Sequence, residues 1–413
     1  MISSRFVQVC VSSFLAPVLA ITPTCALVES RSVTPPAAVI PAELFGMHFH
    51  HLGSTTPWPA VPVSQWRLWD AYAAWPNLEP SKNRWRFEML DRYVAIAAEH
   101  HVGLLLPLGL SPTWASARPL EKSTYAPGNA AEPRDIEDWR TYVRTVVQRY
   151  KGRIQAYEIW NEPNLKQFWS GNVDQMILLT AEAARIIRSV DPQALLVSPS
   201  PTQDRGIAWL SEFLSKGGGT VVDVIGYHLY VAPRPPESTF ELVSGIRRLM
   251  LSAGIADKPL WNTEAGWFLP KPFPPELVSA YVIREFVVNW AAGVQRVYWY
   301  AWDNHGWVSL ETTERDNSTR TPAGDAYSVA FRWLVGSRMV SCSADRDQTW
   351  VCEFERDHSR QWILWNESAS RSFRVPQEWH AHDKELASGA REPLRDDTLE
   401  IGPSPILVLP AGQ

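Results

Sequence analysis

The sequence predicts an α/β protein: a (β/α)8 TIM barrel with a small C-terminal β-sandwich-like module. Short apolar runs alternate with segments of helical periodicity up to about Val335, as in a parallel α/β fold. Beyond Gly336 the pattern changes to short alternating runs separated by turn residues. The 413 residues are enough for one barrel of about 250 residues and an accessory module. We expect residues 1–26 to be a signal peptide, 27–42 a linker or first strand of the β module, 43–335 the barrel and 336–413 the β module.

The first 26 residues have the features of a secretory signal. Arg5 precedes an apolar run from Phe6 to Ile21, and small residues follow around Ala26. The run is short and interrupted for a membrane span, although an uncleaved anchor is an alternative. Cys25 suggests a lipoprotein, but the preceding Pro23 and Thr24 match that signal poorly. We therefore expect a secreted or periplasmic protein.

Removal of that segment would take away Cys10 and Cys25, leaving two cysteines. These are Cys342 and Cys352, which flank a turn-rich segment between two strand-like runs. In an oxidising compartment this arrangement predicts a hairpin disulfide and leaves no cysteine for metal binding or nucleophilic catalysis.

Eight apolar runs are the candidate barrel strands. They are Phe45–Phe49, Trp66–Trp69, Val102–Leu108, Ala156–Trp160, Leu195–Ser198, Val222–His228, Pro259–Thr263 and Arg296–Ala301. Between them, apolar side chains recur at helical spacing in three segments: Leu90, Tyr93, Val94 and Ala97; Trp139, Tyr142, Val143, Val146 and Val147; and Ile283, Phe286, Val287 and Trp290. Asp174 is the expected N-cap of a further helix that ends at Val190.

Four later runs predict strands of the β module. They are Thr349–Phe354, Gln361–Trp365, Ser372–Val375 and Ile406–Leu409. The module is small for an independent sandwich, so we expect it to pack on the barrel, joined by a strand from the segment before Phe45.

The formal charge of −5 carries no long run of one sign, which argues against nucleic acid or an anionic membrane as partner. Tryptophan (21) outnumbers tyrosine (12) and phenylalanine (14). Flat apolar rings with a polar N–H at the edge suit stacking on sugar rings, although most of them are expected in the core. We expect a polysaccharide or oligosaccharide ligand, no membrane contact beyond the signal segment, and a monomer.

Two glutamates follow apolar runs and form a candidate catalytic pair. Glu162 ends the segment Trp160-Asn161-Glu162, and Glu264 ends the segment Trp261-Asn262-Thr263-Glu264, 102 positions later. Parallel barrel strands all end at one rim, so strands four and seven would bring the two carboxylates together. Paired carboxylates at such a rim suit glycosidic bond cleavage, with one as acid and the other as nucleophile or base. Asn161 is suited to bind a sugar 2-hydroxyl.

Polar residues on neighbouring strands are candidate partners of this pair. His228 and Tyr230 share a face at the end of the sixth strand, and either could donate a hydrogen bond to Glu264. Arg67 and Asp70 flank the end of the second strand. An arginine on a barrel strand needs an anionic partner, so Arg67 either orients a catalytic carboxylate or forms a structural ion pair.

Five tryptophans fall at or just beyond predicted strand ends, where a sugar platform would be built. They are Trp75, Trp114, Trp267, Trp299 and Trp302. His48, His50 and His51 end the first strand, but only His48 and His50 share a face and no acidic residue has ligand spacing with them. We expect His48 and His50 to bind sugar hydroxyls or to pack, and we expect no metal.

Several of these segments resemble clan A of the glycoside hydrolases. The resemblance rests on the motifs Tyr157-Glu158-Ile159-Trp160-Asn161-Glu162-Pro163-Asn164, Arg67-Leu68-Trp69-Asp70 with Trp75, and Tyr227-His228-Leu229-Tyr230. Over residues 40–335 the chain is most similar to glycoside hydrolase family 39, and within it to the bacterial exopolysaccharide-degrading branch with endo-mannosidase-like activity. The resemblance implies Glu162 as acid/base, Glu264 as nucleophile, retention of anomeric configuration, and no metal or organic cofactor.

Two other functions fit the same residues. An exo-acting glycosidase such as a β-xylosidase would have a pocket blocked by loops, and a catalytically inactive carbohydrate-binding protein would bind without turnover. The long segments Ala115–Pro133 and Phe268–Pro275 lie near the predicted rim and are the candidates for substrate selection.

Overall fold

The computed structural model describes residues 30–268 and 273–411. The predicted signal peptide, including Cys10 and Cys25, lies outside the described residues, as do positions 269–272 of the second candidate loop.

Eight parallel strands form the barrel, and each overlaps one predicted apolar run. The short β1 (Arg31–Val33) comes first in the chain and pairs outside the barrel. The barrel strands are β2 (Phe45–His48), β3 (Gln65–Arg67), β4 (Gly103–Leu108), β5 (Ala156–Ile159), β6 (Leu195–Val197), β7 (Ile225–Tyr227), β8 (Leu260–Ala265) and β9 (Arg296–Trp299). Their order is β6-β5-β4-β3-β2-β9-β8-β7, and a parallel bridge between Val197 and Val224 joins the two ends. The predicted (β/α)8 barrel is confirmed.

Helices cover the outside of this barrel. They are α1 (Trp75–Leu78), α2 (Glu88–Glu99), α3 (Ile136–Arg149), α4 (Val173–Val190), α5 (Gly206–Ser215), α6 (Thr239–Ser252), α7 (Pro275–Ala291) and α8 (Pro322–Leu334). The predicted apolar faces of α2, α3 and α7 are buried, because each faces the strands. The expected cap at Asp174 is wrong: Asn172 caps α4 in a reciprocal capping box with Gln175, and Asp174 lies in the first turn.

The C-terminal residues form two antiparallel sheets. Their strands are β10 (Arg338–Ala344), β11 (Thr349–Arg356), β12 (Ser359–Asn366), β13 (Arg371–Arg374), β14 (Ala381–Leu386), β15 (Arg391–Pro393), β16 (Thr398–Ile401) and β17 (Ile406–Pro410). Seven strands form the order β1-β10-β11-β12-β17-β14-β15, and β13 pairs with β16. Trp362, Leu399 and Val408 are among the buried side chains between these sheets. The predicted sandwich-like character is confirmed, and β1 joins this part as expected.

The larger sheet packs on the barrel. Trp365 Nε1 donates to Glu237 Oε1 at 2.8 Å, and the rings of Phe240 and Trp350 stack at 5.2 Å. The predicted disulfide joins Cys342 of β10 to Cys352 of β11, which are paired opposite each other. None of the helices formed by the described residues is long and apolar enough to cross a bilayer.

Candidate active site

Glu162 and Glu264 lie at the C-terminal rim of the barrel and face one cleft. Glu162 follows β5, and Glu264 lies within β8, which continues past its predicted end. A carboxylate oxygen of each and a ring nitrogen of His228 lie within 4.8 Å of one another. The cleft has a volume of about 740 Å³, within the usual range for ligand pockets. The topology therefore brings together the two glutamates that the sequence analysis paired.

Arg67 connects the inner part of the site. From β3, its Nη1 donates to Glu264 Oε2 at 2.9 Å and its Nη2 donates to Asn161 Oδ1 at 2.7 Å. Its Nε donates to Glu158 Oε2 at 2.6 Å, and Ser200 donates to the other oxygen of Glu158. Both alternatives for Arg67 are realised, since it orients a rim carboxylate and also forms a buried ion pair.

Glu158 was missed as a site residue. An ionisable side chain inside an apolar strand needs a cationic partner, and that requirement applies to Glu158. Glu158 lies on β5 and Arg67 on β3, with β4 between them. Two buried, opposite charges on nearby strands were the available signal.

The two glutamates have different surroundings. Burial raises the pKa of Glu162 to about 7, and His228 Nδ1 lies 3.0 Å from its Oε1. Burial lowers the pKa of His228 to about 4, so this imidazole is neutral near pH 7. Glu162 therefore has a neutral close neighbour and keeps its proton to unusually high pH.

Glu264 has a charged neighbour. Burial raises its pKa as well, while the guanidinium of Arg67 and the hydroxyl of Tyr230 oppose that shift. Tyr230 donates to Glu264 Oε1 at 2.8 Å, as predicted for one of the pair His228 and Tyr230. His228 is 3.8 Å from Glu264 Oε2 and closer to Glu162.

The backbone around Glu162 has a left-handed conformation at two positions. Trp160 has φ 61° and Glu162 has φ 44°. Non-glycine residues adopt such angles at a cost of roughly 1–3 kcal/mol, and they cluster at active sites. The loop is held by hydrogen bonds from Trp160 Nε1 to Phe168 O at 2.7 Å and from Glu162 N to Ser200 O at 3.0 Å.

Asp70 lies in the cleft wall and accepts hydrogen bonds from two tyrosines. Tyr300 donates to Oδ2 at 2.8 Å and Tyr125 donates to Oδ1 at 2.5 Å. Burial and the neighbouring Asp70 raise the pKa of both tyrosines, so both remain protonated donors. Asp70 thus lies at the rim. Its hydrogen-bond partners Tyr125 and Tyr300 were not expected from the sequence.

The predicted tryptophan platform is wrong. Trp75, Trp267, Trp299 and Trp302 are buried in the core, and Trp114 packs edge-on against Trp75 at 5.9 Å. None of the five lines the cleft. Its aromatic lining comes instead from Trp69, Tyr125, Phe168, Tyr230, Phe268, Tyr300 and Trp307. Five of these seven lie outside the predicted strands, in segments whose direction the strand pattern does not determine.

His48 and His50 do not line the cleft. His48 is fully buried, with Nε2 3.1 Å from the carbonyl oxygen of Thr263 and its ring against Tyr300. His50 Nδ1 lies 3.2 Å from Asn304 Nδ2. Of the two expectations for these residues, packing fits their positions and direct sugar contact does not.

One group of described side chains is compact enough to hold a metal ion, namely Glu162, His228 and Glu264. The histidine cluster at the first strand is not part of it. Arg67 already places a positive charge 2.9 Å from Glu264. The arrangement therefore fits a carboxylate pair that uses an arginine as its counter-ion.

A parallel barrel with two carboxylates at its rim is an arrangement that suits glycosidic bond cleavage, and comparison with known proteins points to the same class. The family model "Glycosyl hydrolases family 39" matches residues 65–301, more than half of the chain. The chain belongs to glycosyl hydrolase family 39.

Curated relatives match a limited segment. A β-xylosidase of Geobacillus stearothermophilus is 29% identical over 167 residues, which are 38% of this chain and 33% of that protein. The chain matches a third or less of the length of the curated relatives.

Two solved structures resemble almost the whole chain. A glucosidase from Croceicoccus marinus has a TM-score of 0.67 at 14% identity, covering 92% of this chain and 98% of that one. A family 39 β-xylosidase from Caulobacter crescentus has a TM-score of 0.66 at 17% identity, covering 93% and 99%. At these identities the likeness shows the fold.

Proposed function

We propose that the chain is a retaining β-glycosidase with Glu162 as acid/base and Glu264 as nucleophile. The observation that carries this proposal is the short separation of the two carboxylates, whose nearest atoms lie within 4.8 Å. Retaining enzymes hold their carboxyl groups about 5–5.5 Å apart, whereas inverting enzymes need roughly 6.5–9.5 Å for a water molecule.

The surroundings of each carboxylate support its role. Glu162 has a pKa of about 7 and a neutral imidazole beside it, so it can deliver a proton to the leaving oxygen. Glu264 accepts hydrogen bonds from Arg67 and Tyr230, which favour its ionised form. The guanidinium decides which glutamate attacks, because it contacts only Glu264 of the two.

The reaction runs in two displacements. Glu264 attacks the anomeric carbon while Glu162 protonates the oxygen of the breaking glycosidic bond, and a glycosyl ester forms on Glu264. Glu162, now ionised, then takes a proton from water, which attacks the anomeric carbon and releases Glu264. Asn161 has its amide oxygen held by Arg67 at 2.7 Å, so its amide nitrogen is oriented as a donor to the sugar 2-hydroxyl.

For the substrate, we propose internal cleavage of a β-linked polysaccharide, an exopolysaccharide or mannan-like chain. The cleft supports this through aromatic side chains on several of its walls, including Phe268 and the largely exposed Trp307. An exo-acting β-xylosidase is the second candidate, favoured by the curated β-xylosidase relatives. We also propose that the chain is exported and acts as a monomer, on the basis of its N-terminal signal features and of composition.

Two measurements test these assignments. Proton NMR during early turnover of a β-linked substrate should show the β-anomer of the product first, and the α-anomer first would overturn retention. Product analysis on mannan and xylan should show a ladder of oligosaccharides, whereas release of monosaccharide alone would replace the endo assignment by the exo one.

A further inference from the structure

A second hollow of about 410 Å³ lies beside the catalytic cleft. Trp69, Asp70 and Tyr125 line both cavities, and we call these three residues the ridge. The hollow and the catalytic cleft therefore adjoin each other at the ridge.

The ridge is fixed from the catalytic side. Asp70 accepts the hydroxyl protons of Tyr125 and Tyr300, and the rings of Trp69 and Tyr125 meet edge to face at 5.8 Å. The guanidinium of Arg67 lies 5.8 Å from the centre of the Trp69 ring. Because Arg67 also holds Glu264, the ridge has a set position relative to the proposed nucleophile.

The hollow itself combines small apolar residues with one exposed ring. Ala71, Ala73, Ala74 and Pro76 form much of its lining. Tyr72 stands at the same hollow with 60% of its surface exposed, which is unusual for a side chain of this size. A shallow apolar surface beside an exposed aromatic ring suits the apolar face of a sugar ring.

Three residues that line this hollow have a left-handed backbone conformation. Asp70 and Tyr72 have φ 55° and Leu110 has φ 61°, and all three line it. Left-handed angles are costly for such side chains, so the surrounding structure must hold them in place. The strained backbone keeps Asp70 with the tyrosines and Tyr72 at the hollow.

The groove continues beyond the hollow. Tyr72, Pro76 and Asn77 also line a shallower depression that extends to Arg86 and Glu88. Shared lining residues thus connect three depressions in a row, starting at Glu162 and Glu264.

We propose that the hollow is a distal sugar subsite, which binds a unit of the polysaccharide beyond those held in the catalytic cleft, with the unit stacked on Tyr72. This proposal rests on the proposed function, because the subsite extends the proposed endo-acting cleft in one direction along the polysaccharide. The occupant is a neutral or weakly charged sugar unit. It belongs to the same polysaccharide molecule whose glycosidic bond is cleaved.

The test compares Tyr72→Ala with Tyr72→Phe, which keeps the ring, and with Leu120→Ala as control. Leu120 is 88% exposed and does not line the hollow. The substrates are a 4-nitrophenyl monoglycoside and the mannan- and xylan-derived oligosaccharides from disaccharide to hexasaccharide. The measured quantity is the ratio of kcat/KM for the hexasaccharide to kcat/KM for the monoglycoside.

We expect Tyr72→Ala to lower this ratio roughly tenfold, the loss of one aromatic contact, while Tyr72→Phe and Leu120→Ala keep it. An undiminished ratio in Tyr72→Ala would overturn the subsite. Calorimetric binding of the two hexasaccharides to Glu162→Gln, with and without Tyr72→Ala, tests the hollow independently of turnover. If the wild type hydrolyses nothing, the proposed function fails; if Tyr72→Ala leaves hexasaccharide affinity unchanged, or neither hexasaccharide binds, the subsite fails.

Discussion

Arg67 Nε donates a hydrogen bond to Glu158 Oε2 at 2.6 Å, and neither side chain is exposed to solvent. Arg67 Nη1 also lies 2.9 Å from Glu264 Oε2, so its guanidinium stands between two buried carboxylates. Glu158 does not line the cleft, and its direct ion pair is with Arg67, which in turn contacts Glu264. We regard it as a positioning residue for the proposed nucleophile.

Glu158→Gln should shift the pH dependence of kcat/KM to lower pH on both limbs. Loss of one negative charge leaves Arg67 less neutralised, and a more positive surrounding lowers the pKa of Glu264 and of Glu162. Removing one partner of a buried ion pair also destabilises the fold, here by roughly 3 kcal/mol. The checks are pH–rate profiles and thermal unfolding.

The matched control is Glu237→Gln. Glu237 forms a buried ion pair with Arg284 where the larger sheet packs on the barrel. That variant should lose stability and keep the wild-type pH profile. Equal pH profiles for Glu158→Gln and wild type would reduce Glu158 to a purely structural role.

Glu162→Gln and Glu264→Gln should differ in how they depend on the leaving group. Without an acid, cleavage of a natural glycoside should fall by on the order of 10²–10⁴. An aryl glycoside with an acidic phenol needs no proton for its first step, so Glu162→Gln should still release a burst of phenol. Glu264→Gln has no nucleophile and should release none. Stopped-flow absorbance measures the burst, and its presence in both variants or in neither would contradict the assigned roles.

The wild-type enzyme should lose kcat/KM as the pH rises through about 7. Glu162 must be protonated in the first step, and its pKa is about 7. The acid limb reports ionisation of Glu264, and both apparent values belong to the coupled pair. On an aryl glycoside that needs no acid, Glu162→Gln should lack the alkaline limb. A descending limb that persists in this variant would have to come from another group.

Removing the disulfide should weaken the C-terminal sheet and spare catalysis. Cys342 and Cys352 are buried and close a short loop between β10 and β11. Cross-links of this kind contribute about 2–4 kcal/mol. The double variant Cys342→Ala, Cys352→Ala should therefore unfold at lower temperature with kcat/KM for a monoglycoside unchanged. A large loss of kcat/KM in the folded variant would mean that the sheet supports the barrel rim.

The proximity of Glu162 and Glu264 could be predicted from the sequence because strand order alone decides where strand ends meet. Glu162 follows the fourth barrel strand and Glu264 lies near the end of the seventh, and a parallel barrel places all such ends on one rim. Arg67 could be expected near them because a buried cation needs a carboxylate. These inferences use the topology of the chain and its charges, and they do not need the course of any loop.

The aromatic lining could not be predicted in this way, because loops decide it. Trp75 lies five residues after Asp70, but Asp70 and Tyr72 are left-handed, the chain changes direction, and Trp75 enters the core, stacked on Tyr142. Tyr125 reaches the cleft from the long loop between β4 and α3 and is held there by Asp70. That hydrogen bond joins residues 55 positions apart and leaves no local pattern in the sequence.

Glu162→Gln should make the protein more stable above neutral pH. Burial raises the folded-state pKa of Glu162 from 4.5 to about 7, so the folded state binds this proton more tightly than the unfolded state. Its contribution to stability is therefore most favourable below pH about 4.5, falls between 4.5 and about 7, and stays unfavourable above that range. Glutamine carries no charge, so the substitution removes the unfavourable free energy of the buried carboxylate. Such a gain is expected where function requires a destabilising environment.

Thermal unfolding should give Glu162→Gln a higher Tm than wild type at pH 8 and the same Tm at pH 4. Glu241→Gln, at an exposed position on α6, is the control and should show no such pH-dependent difference. A Tm for Glu162→Gln below that of wild type at pH 8 would mean that the carboxylate is stabilised where it lies, and the acid role would lose its physical basis.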